Sequence, residues 1–146
     1  ATPVFQTLTL DPDVTELDFC GVVGWFETNN QTHRDSDWFQ VVATGEEIIW
    51  TVDAQNSNTK CFSAGPLDCG EPWDAQQEMS VGSGIVETMI IPTSPGQVVT
   101  LWIRPGQVEA PICDLNIYEY AFHLAGVSGP IAADQEAWGM IKAMYR

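Results

Sequence analysis

The chain has 146 residues, 45% of them hydrophobic, which suits one globular domain with a real core. Asp and Glu number 20 against 5 Lys and Arg, a formal net charge of −15, and a surface so short of cations excludes nucleic acid and disfavours anionic lipid as partners. There is no run of about 18 apolar residues, so no membrane insertion is expected, and the first residues carry neither the basic n-region nor the apolar h-region of a signal peptide.

Taken in chain order, the pattern is one of strands separated by turns. The segment Ala1–Leu10 is uncharged, and Val4–Leu10 reads as a strand, with Val4, Phe5, Leu8 and Leu10 as its apolar positions. Phe19–Phe26 follows. Asp37–Ala43 and Ile48–Asp53 read as two strands joined by a tight turn at Gly45 and entered through the corner Asp35-Ser36-Asp37, whose side-chain oxygens can bond local amides. Their aromatic and β-branched residues suit a pleated, half-buried surface, and Trp38 and Trp50, with Trp102 further on, are expected in the core. Residues 56–79 form a long polar stretch interrupted by Gly and Pro, read as a loop excursion. Ile85–Ile91, Val98–Ile103 and Ile117–Leu124 complete the set. In the last, Tyr118, Tyr120, Phe122 and Leu124 share one face while Glu119, Ala121 and His123 take the other, the alternation of a sheet with one wet side. Both faces of Val98–Ile103 are expected to be covered.

After Gly129-Pro130 the pattern changes. Trp138, Ile141 and Tyr145 recur at helical spacing, so a short amphipathic helix is one reading and an extended peptide docking by its aromatics is the other; Gly139 weakens the helix. The expected organisation is a sandwich domain over 1–126 with a docking or interaction tail over 127–146, and the fold class is all-β: an antiparallel, jelly-roll-like β-sandwich.

The cysteines, 4 in number, point to an oxidising compartment and hence to a secreted, extracellular or cell-surface protein. Of the pairings they allow, Cys61–Cys69 closing a local loop and Cys20–Cys113 tying an early strand to a late one are favoured. Each would stabilise by about 2–4 kcal/mol if unstrained. Asn30-Gln31-Thr32 matches a glycosylation sequon in a polar loop.

Cys20-Gly21 with Gly24, the run Asp35-Ser36-Asp37-Trp38-Phe39, Gly45 before Ile48–Val52, Pro95-Gly96 before Val99–Ile103, and Cys113 before Tyr118–Leu124 together resemble the bacterial pre-peptidase C-terminal (PPC-like) domain. The resemblance spans about Phe5 to Ala125 and departs from the family where Gln97-Val98-Val99-Thr100 replaces the usual aromatic pair. It implies a secreted β-sandwich module that is not catalytic and that aids secretion, binds surfaces or polymers, or acts as a spacer.

No nucleophile elbow or Ser/His/Asp order is present, and no pair among the many acids is singled out by its surroundings, so no enzyme activity is expected. No cofactor is expected either. Calcium is the one ion with candidate ligands, the hard oxygens of Asp35 and Asp37. Trp73, in the polar excursion, is a candidate for stacking on a sugar ring. The neutral first strand could add to a neighbour's sheet edge, and the cationic, aromatic end (Trp138, Ile141, Tyr145, Arg146) could pack on an acidic neighbour. The functional expectation is therefore a self-associating extracellular subunit, a homo-oligomer or homopolymer, of a surface or filament assembly. The alternative is a polysaccharide- or peptide-binding accessory module of a secreted hydrolase.

Overall fold

The computed structural model describes residues 5–6, 13–55, 58–66, 75–106 and 117–128. Within them the chain forms β1 (Phe5–Gln6), β2 (Glu16–Thr28), β3 (Gln31–Asp35), β4 (Asp37–Ala43), β5 (Glu47–Ala54), β6 (Thr59–Ala64), β7 (Gln77–Val81), β8 (Val86–Pro92), β9 (Val98–Pro105), β10 (Ile117–Ala125) and β11 (Val127–Ser128). No helix occurs among the described residues, so none there is long and apolar enough to cross a membrane.

The strands build two sheets. One is six-stranded in the order β1-β4-β9-β6-β7, with β11 also on β4; the other is five-stranded, β3-β2-β10-β5-β8. All pairs are antiparallel except β1 with β4. From β3 onward most steps along the chain cross from one sheet to the other, which makes a sandwich rather than a meander. At one such crossing, between β10 and β11, Gly126 has φ +83° and a Cβ there would overlap the Glu47 carbonyl oxygen, so only glycine fits the step without strain.

Between the sheets, alternate residues of each strand form one core. Phe39 from the six-stranded sheet meets Phe19 and Phe122 from the other, at ring separations of 5.0 and 5.1 Å, with Trp50 edge-on to Phe122 at 6.1 Å. Edge-to-face pairs of this kind add about 0.5–1.5 kcal/mol each beyond their buried area. Val41, Ile48, Val52, Val99, Leu101, Ile103, Tyr120 and Leu124 fill the space around them.

The all-β sandwich expected from the sequence is the fold observed, and the alternation in Ile117–Leu124 places Tyr120, Phe122 and Leu124 in the core as read. Two expectations are corrected, on the tryptophans and on the excursion, and the placing of the two strands around Gly45 is added. The strands over 37–43 and 48–53 are real, but they lie in different sheets, so the turn at Gly45 is an arch between layers and not a hairpin. Trp50 is buried, whereas Trp38 and Trp102 stand half-buried on the outer side of the six-stranded sheet. The excursion over 56–79 contains β6 and the start of β7. The expected C-terminal helix and tail fall outside the described residues.

Cys20 and Cys61 both carry free thiols, so neither the Cys20–Cys113 nor the Cys61–Cys69 bridge is formed in this structure. Cys61 belongs to a strand, points between the sheets opposite Ile103 and Met79, and is wholly buried; Cys20 stands exposed on the other sheet's outer side. Cys69 and Cys113 lie outside the described residues.

Candidate functional site

On the outer side of the five-stranded sheet, β2, β10 and β5 run side by side, and their registers bring Cys20, Ala121 and Asp53 into one cross-strand row and Val22 and Glu119 into the next. Ala121 is small, so the row sinks at its centre. The result is an open groove of about 640 Å³ lined by Cys20, Val22, Asp53, Gln55, Glu119 and Ala121.

The groove belongs to a wider surface of mixed character. Glu16, Asp18, Asp53 and Glu119 are exposed on it, and His123 Nδ1 lies 2.8 Å from Asp18 Oδ1, an ion pair when the imidazole is protonated. Among the acids stand apolar side chains in water: Val22 is 41% exposed, Ile90 55%, Val86 59% and Ile117 68%. No Lys or Arg among the described residues projects from this side of the sheet. Arg34 lies on β3, but opposite Trp25, whose indole is turned inward and buried.

The outer side of the six-stranded sheet is different. Trp38, Trp102 and Phe62 fall in one row across β4, β9 and β6. Their rings stack, at 4.6 Å between Trp38 and Trp102 and 4.9 Å between Trp102 and Phe62. The Arg104 guanidinium lies 4.9 Å from both the Trp102 and Phe62 ring centres, and Arg34 reaches round the β3–β4 corner to within 5.8 Å of Trp102. Lys60 sits beside Arg104 in register and bonds Glu78 at 2.8 Å.

Neither arginine is in a salt bridge among the described residues. Burial lowers the pKa of both, and for Arg104 the Arg34 charge lowers it further while Glu78 opposes the shift. Two like charges are thus held close together over an aromatic stack. Arg104 Nη1 donates to the Pro105 carbonyl, while its buried Nε finds no acceptor among the described residues.

Under the groove, Tyr120 crosses the core from β10 and donates its hydroxyl to Asp37 Oδ2 at 2.6 Å. The ring lies over Gly21, where any Cβ would overlap it. Asp37, read from sequence as a turn-former and weak calcium ligand, is therefore a partner of Tyr120 across the two sheets, and among the described residues no group of three His, Cys, Asp or Glu could hold a metal ion.

The other residues singled out by sequence are placed as follows. Phe5 belongs to β1, whose backbone pairs with Trp38–Phe39 of its own domain, so the first strand is engaged in its own sheet at that point. Val4, Leu8, Leu10, Trp73, Trp138, Ile141, Tyr145 and Arg146 lie outside the described residues. Asn30 is exposed in a two-residue turn, Asn29-Asn30, with both φ values positive (51° and 59°), the hairpin geometry between β2 and β3. The groove and the arginine–aromatic stack were missed because each depends on strand registers that a sequence does not display.

These features define an all-β sandwich with one acidic, partly apolar outer face and one cationic, aromatic outer face. No family model and no curated protein matches the chain. Among solved structures it is similar in fold to PliG of Aeromonas hydrophila, a periplasmic lysozyme inhibitor of g-type lysozyme, with a TM-score of 0.54 and 11% sequence identity over 81% of this chain and 91% of that one.

Proposed function

We propose that this chain is a non-catalytic extracytoplasmic subunit that works by protein–protein contact, associating with copies of itself. The observation that carries this reading is the outer face of the five-stranded sheet, where Val22, Val86, Ile90 and Ile117 are exposed among Glu16, Asp18, Asp53 and Glu119. Exposed apolar groups gathered on one face, interspersed with charge, are the usual composition of a protein-binding surface. The PPC-like sequence pattern and the PliG-like fold both support a binding role in a periplasmic or extracellular setting.

Sedimentation velocity over a wide concentration range tests it. Wild-type chain is expected to form larger species as concentration rises, and a Val22→Ser/Ile117→Ser variant to remain monomeric with an unchanged melting temperature. A wild-type chain that stays monomeric at its solubility limit would end this reading.

A second reading has its own support. The fold is similar to that of an inhibitor of g-type lysozyme, and a groove flanked by Asp53 and Glu119 on a chain of net charge −15 suits a cationic enzyme surface. Adding the chain to a g-type lysozyme in a cell-wall turbidity assay decides it: slowed clearing, reversed by Asp53→Lys/Glu119→Lys, favours the inhibitor.

A further inference from the structure

The chain holds five Lys and Arg in all: Arg34, Lys60, Arg104, Lys142 and Arg146. The three that fall among the described residues gather around one aromatic stack, on the side of the sandwich opposite the acidic face. If cations served only to offset the acids, they would be dispersed among them. Here Lys60 alone is in a salt bridge, with Glu78, while Arg34 and Arg104 lie close enough to lower the Arg104 pKa and neither is in a salt bridge among the described residues. Two guanidiniums held this close repel each other, Glu78 offsets only part of that repulsion at Arg104, and an anionic surface brought to them relieves the rest.

We infer that the arginine–aromatic face of the six-stranded sheet and the acidic, apolar-studded face of the five-stranded sheet are the two halves of one contact, made front to back between copies of this chain. The inference rests on the self-association reading and adds its geometry. The occupant follows from charge: the surface that complements Arg34 and Arg104 is acidic, and the same chain carries such a surface in Asp18, Asp53 and Glu119. The apolar groups agree. Val22 and Ile117 need apolar cover, and the half-buried edges of Trp38 and Trp102 supply it. Because the two halves lie on opposite sides of the sandwich, the contact is heterologous and does not close on itself in a dimer. Copies stack sheet to sheet and propagate as a row, or close as a ring if each step also turns.

Neutralising one half at a time gives the test. Arg34→Gln/Arg104→Gln removes the cationic half, and Asp53→Asn/Glu119→Gln removes the acidic half. Each variant alone is expected to associate at least about tenfold more weakly than wild type, as for close interfacial charge pairs. Mixed in equal amounts, they are expected to form a 1:1 complex that grows no further, since the intact acidic face of one meets the intact cationic face of the other. Arg34→Gln alone, which leaves the Arg104–Phe62 packing in place, serves as the fold-neutral variant, and circular dichroism checks all of them. Wild-type association that survives both pairs of substitutions overturns this inference and leaves self-association standing through another surface. A wild-type chain that stays monomeric removes both, and binding of poly-glutamate by such a monomer would assign the stack to a foreign acidic partner instead.

Discussion

At the scale of single residues, two buried groups among the described residues resist ionisation. Cys61 is wholly buried, and burial pushes its thiol well above the ordinary range. Tyr120 is pushed up by burial first, then by the charge of Asp37 and the hydrogen bond it gives to that carboxylate. Both keep their protons in the folded state at pH values where the unfolded chain loses them, so each contributes stability that is complete below its unfolded pKa and is lost as pH rises above it. The decline is expected to begin near pH 8.5, from the cysteine, and to steepen near pH 10, from the tyrosine, at about 1.4 kcal/mol per pH unit for each group. Urea unfolding at a series of alkaline pH values measures it. Cys61→Ala is expected to hold stability level until about pH 10, and a decline that still starts near pH 8.5 in that variant would show that the thiol is not its source. Tyr120→Phe removes the hydrogen bond to the charged Asp37 carboxylate and is expected to cost about 1.5–3 kcal/mol at neutral pH.

At the scale of elements, the alternating pattern located most strands to within two or three residues, because in β4, β5 and β10 buried positions alternate with more exposed ones, as they do in β9 apart from Thr100, which is buried too. It failed on β3, whose residues Gln31-Thr32-His33-Arg34-Asp35 are polar throughout and are held by pairing with β2. It also failed on β6, where Cys61 was read as a loop cysteine. Nor does alternation say which of two apolar faces turns inward. In β9, Val99, Leu101 and Ile103 compete with Val98, Thr100 and Trp102, and the winner is set by the opposite sheet, where Phe122, itself edge-on to Trp50, meets Phe39 rather than Trp38. The outer aromatics stack with one another instead. A double-mutant cycle on Trp38→Ala and Trp102→Ala, read by chemical denaturation, is expected to give a coupling of about 0.5–1.5 kcal/mol. Trp50→Ala paired with Trp102→Ala is expected to be additive, since those rings lie on opposite sides of β9's layer. The groove was equally beyond sequence reasoning: Cys20, Ala121 and Asp53 are neighbours only because β10 pairs with β2 on one side and β5 on the other.

At the scale of the whole molecule, charge acts in two directions at once. A net charge of −15 on 146 residues repels itself within one folded chain, and screening that repulsion favours the compact state. The proposed contact between copies draws on attraction between Arg34 and Arg104 on one side and Asp18, Asp53 and Glu119 on the other, and screening weakens it. The two effects therefore carry opposite signs. Raising sodium chloride from about 0.05 to 0.5 M shortens the screening length from roughly 14 to 4 Å. The melting temperature of dilute, monomeric protein is expected to rise by a few degrees over that range, while light scattering at high concentration is expected to fall. Measuring both on one preparation separates the forces. If scattering rises together with the melting temperature, the copies are joined by burial of Val22, Ile90 and Ile117, and the arginines are bystanders. If scattering falls while the melting temperature rises, attraction between the two faces governs assembly even though like-charge repulsion dominates the isolated chain.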